Sequence, residues 1–325
     1  MLTAPHAHQG LTVDQLMYRV NVSLLPVVIL AFLQFGAQSV LLIFCCLLTA
    51  LACEAVCLRL NPAAQGHTFD GAAFLTALIL ALSLPPHAPL WLGVFGSAVA
   101  IIFGKHIYGG LGQNLFNPAM LARVVLLISF PVEMTRWVKP AIFYHGEFYR
   151  LGVDGITGAT LLGEFKENGH QHLELLTNLL GNRSGSLGET ASLLLLLGGG
   201  WLIQQRVFSW HIPVATILGC LVPGTLHWLI SPGSIVPPLA QLTSGGLLLG
   251  AFYILTDPVT GPGSVRGRLI FGALAGFLTY CIRAFGNYPE GMAFAVLLVN
   301  AVTPLIDNYT QPKAYGFVSG KEKSS

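Results

Sequence analysis

Charge is what this sequence has least of. Asp, Glu, Lys and Arg together make up 9% of its 325 residues, against about 25% in a soluble domain. The hydrophobic set reaches 54% and the mean hydropathy is +0.68. So few charges cannot cover a water-facing surface of this size, and the outer surface must face lipid. Basic runs are also missing. The net charge of +2 argues neither for nor against nucleic acid, but no block of lysine or arginine exists to track phosphates, and no nucleic-acid partner is expected. None of the six cysteines, Cys45, Cys46, Cys53, Cys57, Cys220 and Cys281, forms the C-x-x-C spacing of a zinc or redox site. Cys53 and Cys57 share a helix face at i, i+4, but all six lie in apolar segments and read as small packing residues. No metal site and no catalytic residue are expected. The first residues lack a basic start and an A-x-A cleavage pattern, so no cleavable signal is expected. His6 and His8 read as part of a polar terminus.

What the chain has instead is long apolar runs. A spanning helix needs about 20 mostly apolar residues. Candidates are 21–36, 39–58, 70–84, 88–104, 117–131, 190–205, 212–230, 245–256, 268–283 and 291–306. Two of these are short and broken, the first stopping at Pro85-Pro86 and the second at Asp257-Pro258. Thr12-Val13-Asp14-Gln15 has the form of a capping box and predicts a short surface helix ahead of the first span. The expected fold is an all-α polytopic membrane protein of ten transmembrane helices. Its parts are a cytoplasmic segment 1–20, a five-helix repeat 21–131, an outer loop 132–189, a second five-helix repeat 190–308 and a cytoplasmic tail 309–325. Five spans per half invert the second half relative to the first. The broken helix is third in each half, as in inverted-repeat transporters.

Orientation follows from lysine and arginine in short loops. Arg19, Arg59, Lys105, Arg206, Arg266, Arg268, Lys313, Lys321 and Lys323 fall on one side, and the loops near 37, 87 and 237 carry none. Arg283 alone dissents. Both termini are therefore expected in the cytoplasm and the 132–189 loop in the periplasm, which places the chain in a cell inner membrane.

That loop holds Asp154-Gly155-Ile156-Thr157-Gly158-Ala159-Thr160. A threonine hydroxyl is a weak nucleophile without an activator, and nothing in the chain looks like one. Modification there needs a second enzyme, and Gly155, Gly158 and Ala159 let a catalyst approach the backbone. The form D-G-x-T-G-A-T resembles the site at which a flavin transferase attaches FMN to threonine through a phosphoester. Thr160 is then the attachment residue, with Asp154, Thr157, Gly158 and Ala159 as the motif that is read. Asp154 is suited to helping hold a metal ion that accompanies the flavin nucleotide.

Further strings point the same way. They are Asp70-Gly71-Ala72-Ala73-Phe74-Leu75-Thr76 running to Pro85-Pro86, Gly109-Gly110-Leu111-Gly112-Gln113-Asn114-Leu115-Phe116-Asn117-Pro118-Ala119-Met120, and Phe252-Tyr253-Ile254-Leu255-Thr256-Asp257-Pro258-Val259. On these, nearly the whole chain resembles the RnfD family of the Rnf electron-transport complexes. The NqrB component of the sodium-translocating NADH:quinone reductase is a relative with a similar S/T-G-A-T site. The resemblance implies two inverted five-helix repeats of urea-transporter-like fold and FMN held covalently at Thr160, hence a phosphoprotein. It implies a translocase that passes electrons between ferredoxin and NAD while moving sodium ions or protons. The chain would not be catalytic alone. Its implied partners are a second flavinylated subunit, iron–sulfur subunits, the flavin transferase and membrane lipid, and a second flavin is possible. The alternative reading is a passive inverted-repeat channel or transporter without a redox role.

Four more residues are candidates for a flavin or ion pathway: Asn117, Arg123, Asp70 and Asp257. Asn117 stands before Pro118 at a helix start, a place that favours anions and equally suits a structural cap. Arg123, like Glu54, lies inside an apolar span, where charge is costly and is usually paired or functional. The alternative for Arg123 is snorkelling to headgroups, and for Glu54 reaching water from near the end of its helix. Asp70 and Asp257 bound the two broken helices, where a carboxylate serves a cation, a proton, a helix cap or a turn. His106 and His227 read as packing residues.

Overall fold

A computed structural model describes residues 12–60, 71–138, 140, 160, 162–163, 165, 181, 183–233, 235–286, 288 and 290–311. Their regular structure is helical. We number the principal helices α1 (Val13–Phe35), α2 (Ala37–Leu60), α3 (Ala72–Ser83), α4 (Leu90–Ile101, continued by a π turn over Ile102–His106), α5 (Pro118–Ser129), α6 (Ser192–Gln204), α7 (His211–Ile230), α8 (Leu247–Leu249 and the π turn Gly250–Ile254), α9 (Val265–Phe285) and α10 (Met292–Thr310). Helices α1, α2, α7, α9 and α10 are long and apolar enough to cross a membrane, and α3, α4, α5 and α6 are shorter apolar helices.

The chain chemistry explains the ends. Thr12 and Gln15 form the capping box, each side chain accepting from the other's backbone N–H at 3.3 Å. The helix that starts there does not stop before a first span. It runs unbroken to Phe35, so the separate surface helix is not found. No glycine interrupts residues 13–35, and the apolar stripe keeps helical phase through Met17, Val20, Leu24, Val27 and Ala31, all buried. Gly36, at φ 74°, ends it and lets α2 begin at once. The loop before α5 carries Gly109, Gly110 and Gly112 at φ +113°, +103° and +90°, a left-handed backbone that side chains resist. Asn117 then caps α5, and Pro118 takes the first helical position, where its missing N–H costs nothing.

Packing is close where residues are small. Helix α7 crosses α9 at Gly219, Gly272 and Gly276. A Cβ on Gly276 would fall 2.0 Å from the Thr216 carbonyl oxygen, and one on Gly219 would fall 2.3 Å from that of Ala273. Such spacing lets two backbones meet in lipid. Helix α2 packs on α4, α1 on α6 and α5 on α10. Outward positions are apolar: Leu25, Ile29, Phe44, Leu48, Leu218, Val222, Leu298 and Leu305 are all exposed. Long helices that are apolar on both their inner and outer faces define a polytopic membrane protein.

Residues 183–191 pack into the helical body. The N–H of Gly188 donates to Leu82 O at 2.7 Å and that of Leu187 to Leu84 O at 3.2 Å. These bonds satisfy carbonyls that the end of α3 leaves open. The end of α1 joins the same region through Gln34 Nε2, which donates to Gly181 O at 3.0 Å.

Candidate functional site

At one end of the bundle, the lead-in to α6, the start of α8, the end of α9 and the start of α10 converge beneath Thr160. A cleft of about 20 Å³ is lined by Trp137, Thr160, Leu162, Arg183, Ser184, Glu189, Ser244, Gly245 and Glu290. Thr160 is half-buried, and its Oγ1 accepts from Gly163 N–H at 3.1 Å. Of the attachment motif only Thr160 lies among the described residues; Asp154, Thr157, Gly158 and Ala159 fall outside them, as does Asp70.

Beneath Thr160, among the described residues, are three guanidinium groups and two carboxylates. Arg123 Nη2 lies 3.3 Å from Glu189 Oε1, and Arg283 Nη2 lies 3.6 Å from Glu290 Oε1. Arg283 also donates to Gln241 O at 2.8 Å and Ser244 O at 2.9 Å. Arg183 Nη2 donates to Glu189 O and, at 2.7 Å, to Ser192 Oγ. Glu290 Oε2 accepts from Gly246 N–H at 2.6 Å, so a carboxylate meets the start of α8. Gly245, at φ +64°, leaves no room for a side chain: a Cβ would fall 2.1 Å from Glu290 Oε2. Loss of hydration lowers the Arg183 pKa to about 10, which still leaves it charged at neutral pH. Burial first, and then the neighbouring Glu290, push Glu189 upward, against the pull of Arg123.

This geometry corrects several expectations. Arg123 does not snorkel; it is buried and paired with Glu189. Glu54 does not reach water, because it meets Lys105 Nζ at 2.7 Å with both side chains 3% exposed. Lys105 is therefore not a loop residue; it sits in the π turn that ends α4. Arg283, the dissenter in the charge count, is buried in the cluster and reports nothing about loops. One signal could have found it, a lone arginine inside an apolar helix. Its partners in the cluster, Glu189 and Glu290, carry no such signal, since each stands at a helix start where a solvated charge is ordinary.

The opposite end holds a cavity of about 560 Å³ between the two halves of the chain. Leu16, Met17, Tyr253, Lys105, Asn117, Arg206, Asp257 and Arg268 are among its lining residues. Its size is that of a small-molecule site. Asn117 pins the halves together there: its Oδ1 accepts from Met120 N–H, and its own N–H donates to Asn300 Oδ1, both at 3.2 Å. Asp257 shapes a turn, accepting from Val259 N–H at 3.1 Å and Thr260 Oγ1 at 3.3 Å. His227 Nδ1 lies 2.9 Å from the Tyr280 hydroxyl. No group of three or more metal-ligating side chains occurs among the described residues.

An apolar helical body whose outer faces are also apolar is the form of a polytopic membrane protein. Sequence comparison gives the family. A profile of the NQR2, RnfD, RnfE family matches residues 1–316, and the chain belongs to that family. It is 42% identical over 342 residues to the D component of the ion-translocating oxidoreductase complex of Cronobacter sakazakii, covering 97% of this chain and 98% of that one. The proteins of the same name from Escherichia coli O7:K1 and Salmonella paratyphi B are 41% and 42% identical over 346 residues, with 98% of each chain covered.

Proposed function

We propose that the chain is a membrane component of an ion-translocating oxidoreductase complex of the ferredoxin/NAD class, and that it carries FMN through a phosphoester at Thr160. The relatives named above support the first part. The observation that carries the second is the D-G-I-T-G-A-T string, whose last residue lines a cleft walled by an arginine. The residues fit a phosphate-bearing group: Arg183 Nη1 and Ser244 Oγ are buried without a hydrogen-bond partner among the described residues. FMN so held supplies the one- and two-electron chemistry, and the chain supplies position and charge.

The same reading covers architecture. Helices α1–α5 and α6–α10 form two inverted five-helix repeats. Equivalent pairs support this: α2 on α4 matches α7 on α9, while α1 on α6 and α5 on α10 join the first and fifth members of the halves. The termini are cytoplasmic and the Thr160 end periplasmic, in a cell inner membrane. Removing Lys105 and Arg283 from the charge count leaves Arg19, Arg59, Arg206, Arg266, Arg268, Lys313, Lys321 and Lys323 all in favour. FMN at Thr160 would supply electron-carrying chemistry to a complex whose other members would include iron–sulfur and second flavin-bearing partners, while Arg183 and Ser244 would hold its phosphate. We assign a second, non-covalent flavin to the 560 Å³ cavity.

A denaturing gel viewed under ultraviolet light tests the attachment. The native protein made with the flavin transferase should give a fluorescent band, and Thr160→Ala should abolish it. A band that survived the substitution would refute the site. A native protein with no band would favour a passive channel. Acid-extractable flavin retained by Thr160→Ala would support the second flavin, and its absence would remove it.

A further inference from the structure

We infer that Arg183 and Ser244 form a phosphate-oxygen receptor beneath Thr160, which clamps the phosphodiester of the attached flavin and so immobilises the cofactor. The inference rests on the covalent-FMN reading and adds to it the residues that hold the phosphate. Arg183 is 8% exposed and Ser244 2%. Both line the cleft shared with Thr160, and Arg183 Nη1 and Ser244 Oγ have no partner among the described residues. A guanidinium cannot escape burial by losing its proton. A buried donor without an acceptor is costly, so these two atoms are suited to a further acceptor that enters the cleft.

The charges specify the sign of that acceptor. Among the described residues three arginines face two glutamates, and two of the arginines are already engaged by carboxylates. The excess positive charge falls to Arg183, whose Nη2 is spent on the neutral Glu189 carbonyl and Ser192. A phosphodiester carries one negative charge and accepts hydrogen bonds through its non-bridging oxygens, which suits an arginine and a hydroxyl together. Size specifies how much enters. A cleft of about 20 Å³ admits an oxygen atom or a water and no ring, so the isoalloxazine stays outside while the phosphate is held. Arg183 and Ser244 are positioning residues.

The test uses full-length protein in its complex, with flavin at Thr160 verified by in-gel fluorescence before any other reading. Fluorescence anisotropy of the bound flavin and its quenching by iodide are then measured for native protein, Arg183→Gln, Arg183→Lys and Ser244→Ala. Arg183→Gln should keep the band, lower the anisotropy and raise iodide quenching. Arg183→Lys should restore part of both, because it keeps charge and loses the planar fork. Ser244→Ala removes only an unpartnered hydroxyl and should move both readings in the same direction by less; it decides the matter if Arg183→Gln fails to assemble. Unchanged anisotropy and quenching in flavin-bearing Arg183→Gln and Ser244→Ala would overturn the receptor and leave the attachment reading intact. Absence of the band in native protein would instead refute the attachment itself. Should a phospholipid headgroup fill the cleft, Arg183→Gln would lower lipid phosphorus per protein with the flavin readings unmoved, which also overturns the inference.

Discussion

Arg123→Met should be among the most destabilising single changes in the described residues, and Glu189→Gln should largely rescue it. The guanidinium and carboxylate are 3.3 Å apart with side chains 7% and 5% exposed. At an effective dielectric near 20 their attraction is about 5 kcal/mol, and removing each ion from water costs several kcal/mol in the opposite direction. The pair is thus close to neutral overall, whereas loss of one member leaves the other stranded. Arg123→Met leaves Glu189 beside Glu290 without its balancing charge, at a cost of about 3–5 kcal/mol. The double variant removes both charges, and the glutamine side-chain carbonyl would still accept the Ser186 N–H bond that Glu189 Oε2 now takes at 3.4 Å. It should cost only about 1 kcal/mol, so that the second substitution recovers about 2–4 kcal/mol of what Arg123→Met loses. At roughly 2 °C per kcal/mol for a long chain, Arg123→Met should lower the thermal midpoint in mild detergent by about 6–10 °C, and the double variant by a few degrees. A midpoint for Arg123→Met within a degree of native would mean that the guanidinium reaches headgroups after all and does not hold Glu189.

Other outcomes follow from particular contacts. Gly276→Leu should part α7 from α9, since even a Cβ meets the Thr216 carbonyl at 2.0 Å; overpacking of this kind costs about 1–3 kcal/mol or more and should reduce the yield of folded protein on size exclusion. Asn117→Ala removes the α5 cap and should cost about 1 kcal/mol in thermal stability, yet leave the fluorescent band unchanged because the cap lies at the other end of the bundle. Leu218→Arg, on the exposed face of α7, should cost about 2.5–3.5 kcal/mol at the centre of a span and impair membrane insertion; normal insertion would mean that this face is not turned to lipid.

Local patterns were legible in the sequence, and distant pairings were not. The capping box of Thr12 and Gln15 and the proline start of α5 need only a few neighbouring residues, and both are present. The break expected near residue 20 failed because Tyr18 and Arg19 do not interrupt the helical phase of Met17, Val20 and Leu24. Intramembrane charges were visible as anomalies, but their partners lie far along the chain: 51 residues separate Glu54 from Lys105 and 66 separate Arg123 from Glu189. Taken singly, Lys105 looked like a loop marker and Arg123 like a snorkelling residue. The expectation at Thr160 rests on seven consecutive residues, of which Thr160 alone lies among the described ones. The arginine and serine beneath Thr160 were not legible, because separate stretches of chain bring them together.

The most direct test is mass spectrometry of the peptide spanning residues 151–166, taken from protein made in cells that contain the flavin transferase. The predicted result is a mass increased by FMN less one water, with fragments assigning it to Thr160. An unmodified peptide, or the same increment on Thr157, would contradict the account.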